Sequence, residues 1–310
     1  MTREELQKHI DHFADNSPHN FIAVRESSRV VDGISDNNYE KNNLATHGIS
    51  TDMLGVDEDS ELKGMRFYQR PIFSIGRADH PDFAKIKQPE VVGVHHLMPE
   101  DWLPEAKTVI SVFLPFEQAT VDANKVDPFE PAIEWVYTRV DGQRFLLALG
   151  AMIRDVLTSA GYKAVTPYTE DRYIMRTGSD AEPGTEHVPQ YSTNWSERHV
   201  GVVTGLGTFG QSTNFISKAG CAGRLISIIT DWDIEPDILD YNGWLGYCND
   251  CGACIRRCPG NAYFPDRHGK DHEKCREHIR KACQRFFPRY GCGKCQSGLP
   301  CDNKPMPKDP

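Results

Sequence analysis

One run of cysteines decides what the C-terminal part of this 310-residue chain can become. The stretch YCNDCGACIRRCPGNAY places Cys248, Cys251, Cys254 and Cys258 at C-x2-C-x2-C-x3-C spacing, with Pro259 next. In such a run three closely spaced thiolates wrap one cubane iron–sulfur cluster, and the fourth, thrown forward by the turn at the proline, ligates a different cluster. The spacing therefore predicts a second set of thiolates. Cys275 in DHEKCREH and Cys292, Cys295 and Cys301 in RYGCGKCQSGLPCDN supply it. A consistent assignment puts Cys248, Cys251, Cys254 and Cys301 on one four-iron cluster and Cys258, Cys275, Cys292 and Cys295 on the other. Cys221 and Cys283 are then spare. Two zinc sites would use C-x2-C pairs equally well, but four cysteines ending in C-P favour iron–sulfur.

Nine of the ten cysteines fall between Cys248 and Cys301. Such density in a cytosolic chain argues for metal rather than disulfides. The start, MTREELQKHIDHFA, reads as an amphipathic helix with a Thr2 to Glu5 capping box rather than a signal peptide. No stretch approaches the roughly 18 apolar residues of a membrane span. The expected location is the cytoplasm, with no membrane partner.

The formal charge of −9 is unevenly spread. Residues 256 to 310 carry 13 Lys and Arg against 6 Asp and Glu, net +7, which leaves 22 against 38, net −16, for the rest. A basic segment can mark a nucleic-acid contact. Here thiolate-ligated cubanes are anionic, and Arg256, Arg257, Lys274 and Lys294 would offset them, so the charge has an internal explanation.

Upstream, AKTVISVFLPF reads as a buried strand, GQRFLLALGAMIRDVLTSAG as a helix ending at Gly161, and RLISIITD as a second strand. Residues 32 to 64 and 177 to 193 read as loops. The expectation is an α/β core over residues 1–235 and a bacterial-ferredoxin-like double-cluster module over 236–310.

HVGVVTGLGTFGQ imitates a dinucleotide loop, with Gly205, Gly207 and Gly210 at G-x-G-x-x-G spacing and Asp231 about 20 residues on. Against it, QSTNFISKAGCAG makes a poor helix, and NWSERHVGVVTG itself reads as a helix, with Asn194 or Ser196 as N-cap and Gly205 as its C-terminal glycine. The cysteine module also follows too closely for a doubly wound domain.

LPEAKTVISVFLPF, SERHVGVVTGLGTFG, AGRLISIITD and the double cysteine module, in that order, resemble the epoxyqueuosine reductase and reductive dehalogenase superfamily over residues 100 to 301. The resemblance implies a nitroreductase-like core that binds cobalamin base-off and receives electrons from two 4Fe-4S clusters. Gly205, Gly207 and Gly210 would then let backbone approach the corrinoid, and Arg224 would meet its phosphate-bearing tail; the alternative for the glycines is a helix stop and tight turn. The D-x-H-x-x-G signature of other cobalamin proteins is absent, since DRHGKD has Asp271 at the glycine position.

The chain departs from the family in three places. CGKCQSGLPCDN has a longer gap than C-x2-C-x3-C-P, with Pro300 before Cys301. The Y-x-R-x-R-D region appears as YTRVDGQR, which makes Asp141 and Tyr137 rival proton donors; Asp141 alternatively caps the following helix. The twin-arginine export signal is missing. His95 and His96 read as surface or core residues.

The resulting expectation is a cobalamin-dependent reductase of a small organic substrate, fed by a donor such as a ferredoxin or flavodoxin. The alternatives are an electron-transfer or partner-binding protein without corrinoid, and epoxyqueuosine-type reduction on tRNA, against which the acidic core counts.

Overall fold

A computed structural model describes residues 1–25, 53–177, 183–238, 240–241 and 243–307. The loop expected at 32 to 64 lies partly outside these residues. In chain order the elements are α1 (Arg3–Asn16), β1 (Ile72–Arg77), α2 (Asp82–Ile86), α3 (Pro99–Trp102), β2 (Thr108–Pro115), α4 (Gln118–Val126), α5 (Ile133–Val140), α6 (Gln143–Ser159), β3 (Ala164–Val165), α7 (Glu197–Val203), β4 (Gly207–Phe209), β5 (Phe215–Ser217), β6 (Gly223–Thr230), α8 (Ala253–Arg256) and α9 (His272–Phe286).

Four strands form one sheet in the order β1-β2-β6-β3, each pair antiparallel, so the class is mixed α/β around an antiparallel sheet. All eight residues of β2 are buried, which explains why it reads as an unbroken apolar run rather than an alternating one. On one face Ile110, Val112, Leu114, Ile226 and Ile228 pack with Phe145, Leu149 and Ile153 of α6. Its apolar residues recur every three or four positions, as a helix lying on a sheet requires. On the other face Val109 and Ile229 join Val200 and Val203 of α7 and the ring of Trp195.

Both expected strands and the expected long helix are present, and Gly161, with φ +90°, follows the C-cap of α6. The Thr2 and Glu5 side chains close the capping box of α1. Ser196 occupies the N-cap of α7, and Gly205 follows its C-terminus with φ +85°. A helix therefore precedes the glycines, as the nucleotide reading does not allow. Asp231 meets no ribose site; its Oδ1 accepts the Lys163 N–H at 2.8 Å.

The C-terminal stretch is stitched to this core. The Cys221 and Ala222 amides donate to the carbonyls of Cys301 and Asp302 at 2.9 and 3.2 Å. Asn124 of α4 donates to Ser297 Oγ and the Cys292 carbonyl.

Candidate functional site

The thiols of the C-terminal stretch line two spaces. Cys248, Cys251, Cys254 and Cys301 border one pocket, together with Cys221 and Cys295. Cys258, Cys275, Cys292 and Cys295 border a larger cleft of about 430 Å³, which Cys221 also reaches. The grouping follows the same division as the spacing, with Cys295 and Cys221 on the wall between the two spaces. Among the described residues no three His, Cys, Asp or Glu side chains close on a single point as they would around one ion. Cys283 is partly buried against the main core.

Burial is the largest influence on four of these thiols. It pushes Cys292 up to about 12 and raises Cys248, Cys254 and Cys275. Bare thiolates are therefore disfavoured until a cation replaces the proton. The protein supplies partial compensation: Lys270 Nζ lies 3.6 Å from Cys275 Sγ, and the Ala262 amide donates to Cys258 Sγ at 3.4 Å. Lys294 has no exposed surface, donates from Nζ to the Asn124 carbonyl at 2.8 Å, and stands among the charges beside Cys292. Cys221 Sγ lies 3.9 Å from Cys301 Sγ, and that contact is the largest influence lowering Cys301 and raising Cys221. The donor set, eight soft sulfurs bordering two spaces with cations around them, fits two cubane clusters.

The same cleft continues away from the cysteines. Trp135, Tyr168, Tyr173, Trp195, Phe215 and Tyr290 give it an aromatic wall, and Arg139, Arg198 and Arg224 point cations at it. Arg198 keeps its side chain open to the cleft, donating to the Thr213 carbonyl at 3.0 Å. Glu197, the first residue of α7, also borders the cleft. Burial raises its carboxyl to about 7. Both oxygens are closed to solvent and without a hydrogen-bond partner of good geometry among the described residues, with Ser227 as the polar group beside them. Glu197 carries no signal in the sequence, because an acid in the first turn of a helix is ordinary there.

The glycines stand elsewhere. A Cβ on Gly207 would lie 2.2 Å from the Ile216 carbonyl oxygen, so its bare backbone makes room for β5. Gly205 is the turn after α7, and neither residue borders the cleft. Gly210 borders the first thiol pocket and Arg224 the cleft. The four residues assigned to a corrinoid do not converge.

Asp141 and Tyr137 do not border the cleft either. Asp141 is enclosed, binds Arg289 and accepts the Gly55 amide at 2.7 Å; it stands at the end of α5 and makes no side-chain cap on α6. The Tyr137 ring lies under the Arg289 guanidinium, 3.7 Å from its centroid. His96 is a core residue, accepting the Ser196 amide at 3.0 Å and stacking on Trp195, and His95 pairs with Ser192.

No protein-family profile and no curated protein matches the chain. Its structural neighbours are epoxyqueuosine reductases and reductive dehalogenases. A selenomethionine-labelled epoxyqueuosine reductase matches at 18% identity over 74% of this chain and 61% of that one, with a TM-score of 0.45. The enzyme from Streptococcus thermophilus matches at 18% over 77% and 64%, TM-score 0.44. A reductive dehalogenase described by a B12-dependent dehalogenation mechanism matches at 15% over 76% and 30%, TM-score 0.42. The match thus spans less than two thirds of each of those chains. Among the described residues no helix is long and apolar enough to cross a membrane.

Proposed function

We propose that this protein is an iron–sulfur oxidoreductase of the cytoplasm that reduces a small organic molecule in the 430 Å³ cleft. The observation that carries the reading is the sorting of eight cysteines into two spaces, one of which is continuous with a cleft of small-molecule size. Cys248, Cys251, Cys254 and Cys301 would hold one four-iron cluster, and Cys258, Cys275, Cys292 and Cys295 the other. When bound, the clusters supply one-electron transfers from a donor such as a ferredoxin or flavodoxin.

The chain's own residues do the rest. Lys270 and Lys294 offset anionic sulfur, and the aromatic wall excludes water from the bound molecule. Asp141 and Tyr137, the rival proton donors of the sequence, are held by Arg289 outside the cleft. Glu197 borders the cleft with a carboxyl near neutral pH, the match a general acid needs.

A corrinoid is supported at Arg224 alone. Gly205 and Gly207 do not fit a corrinoid cradle. That closed glycine segment favours, as the second reading, an electron-transfer protein without corrinoid. Anaerobic reconstitution tests both. About eight irons per chain, reduced by a low-potential donor, supports the clusters, and fewer than about six overturns the two-cluster reading. Cobalamin uptake with cobalt-corrinoid bands would reinstate the corrinoid.

A further inference from the structure

Two arginines meet in the cleft with no acid between them among the described residues. Arg224, on β6, donates from Nη1 to the Arg139 carbonyl at 3.2 Å and from Nη2 to Gln143 Oε1 at 2.8 Å. Gln143 in turn donates to the Tyr168 hydroxyl at 3.1 Å. The Arg139 guanidinium lies over the Tyr290 ring, 5.0 Å from its centroid, and among the described residues it makes no hydrogen bond or ion pair. The charges and hydroxyls felt by Arg224 are those of Arg139, Tyr68, Tyr168 and Tyr290, and no carboxylate is among them. Tyr68, also beside both arginines, has a buried hydroxyl without a partner among the described residues.

Holding two like charges in a partly buried site costs free energy unless an anion joins them. The neighbouring cysteines are served by other cations, Lys270 at Cys275 and Lys294 at Cys292, so the arginine pair is left over from that task. Guanidinium groups bind planar oxyanions through paired hydrogen bonds, and an aromatic wall suits an apolar body attached to such a group.

We propose that Arg139 and Arg224 bind the acid group, carboxylate or phosphate ester, of a small aromatic organic acid that is the molecule reduced in this cleft. The proposal rests on the reductase reading for the word reduced, and on geometry alone for the acid. Trp135 and Trp195 border the cleft, which makes binding visible by tryptophan fluorescence without turnover.

The test titrates the cluster-loaded protein anaerobically with benzoate, benzyl alcohol, phenyl phosphate, inorganic phosphate and cobalamin, with calorimetry alongside. Benzoate or phenyl phosphate should bind and benzyl alcohol should not, and the stronger of the two anions tells carboxylate from phosphate ester. Arg139→Gln and Arg224→Gln should each weaken the acid by about tenfold or more, as loss of a charge-assisted contact does. Arg224→Lys, which keeps the charge, should retain part of the affinity and shows whether the site folds without the guanidinium. Equal binding of benzoate and benzyl alcohol overturns the proposal, as does unchanged acid affinity in both Gln variants. Arginine-dependent binding of inorganic phosphate alone or cobalamin alone also overturns it, giving the pair to a free anion or a nucleotide-tail phosphate. Acid binding in a chain that takes up no iron would instead sink the reductase reading and leave the acid site standing.

Discussion

Arg289 closes on Asp141 through two hydrogen bonds, Nε to Oδ2 at 2.6 Å and Nη2 to Oδ1 at 2.7 Å, with both side chains almost wholly enclosed. The same guanidinium donates to the Gly55 carbonyl at 2.8 Å, so one buried pair joins the end of α5, the segment around Gly55 and the cysteine-bearing C-terminal stretch.

Breaking a buried pair from one side leaves an uncompensated charge, which typically costs about 3–5 kcal/mol. Asp141→Asn should therefore lower stability by about that amount, and adding Arg289→Met should recover part of it. Chemical denaturation of the parent and both variants measures this. An Asp141→Asn protein that unfolds like the parent but has lost turnover would return Asp141 to the role of proton donor.

Glu197 gives a pH dependence of defined sign. Its carboxyl titrates at about 7 in the folded chain because burial disfavours the charge, against an ordinary value of 4.5. The folded state thus holds the proton more tightly than the unfolded one. Stability should be full below about pH 4.5, fall as pH rises towards 7 and level off beyond, by on the order of 3 kcal/mol at most. Glu197→Gln should flatten that slope. Unfolding free energies across about pH 4.5 to 8 would refute the account if the two proteins ran parallel.

The parts legible in the sequence are those written in local pattern. Cysteines at fixed spacing draw attention to the two spaces that they border, and the apolar runs of β2 and β6 announce strands buried over most of their length. Ser196 and Gly205 mark the ends of α7. What stayed hidden depends on long-range contact. Asp141 follows an apolar helix like any cap, and only Arg289, 148 residues away, gives it another task. Arg139 and Arg224 are likewise far apart along the chain, and nothing in either neighbourhood shows that their charges meet.

Lys294 should tune the second set of cysteines. Its ammonium is buried beside Cys292 and held by the Asn124 carbonyl and Oδ1 at 2.8 and 3.2 Å. Removing a fixed positive charge next to an anionic cluster makes electron uptake harder. In reconstituted protein Lys294→Gln should keep its iron and shift one of two midpoint potentials to more negative values in a potentiometric titration followed by electron paramagnetic resonance. An unshifted pair of potentials would show that this charge does not reach the cluster.

Gly207 and Gly210 separate packing from ligand binding in the segment that imitates a nucleotide loop. A Cβ at 207 would meet the Ile216 carbonyl oxygen at 2.2 Å and Phe215 Cζ at 2.8 Å, and a backbone atom cannot step aside. At 210 the nearest atom is Ile216 Cδ1 at 3.0 Å, the far end of a flexible side chain. Gly207→Ala should destabilise the cluster-loaded protein by at least about 1–3 kcal/mol, the usual cost of overpacking, while Gly210→Ala should cost less than about 1.5 kcal/mol. Thermal unfolding compares them directly. If Gly207→Ala melted with the parent and lost only cobalamin uptake, the glycine would belong to a cofactor after all; equal melting losses in both would mean that the turn, and not the β4–β5 contact, sets the cost.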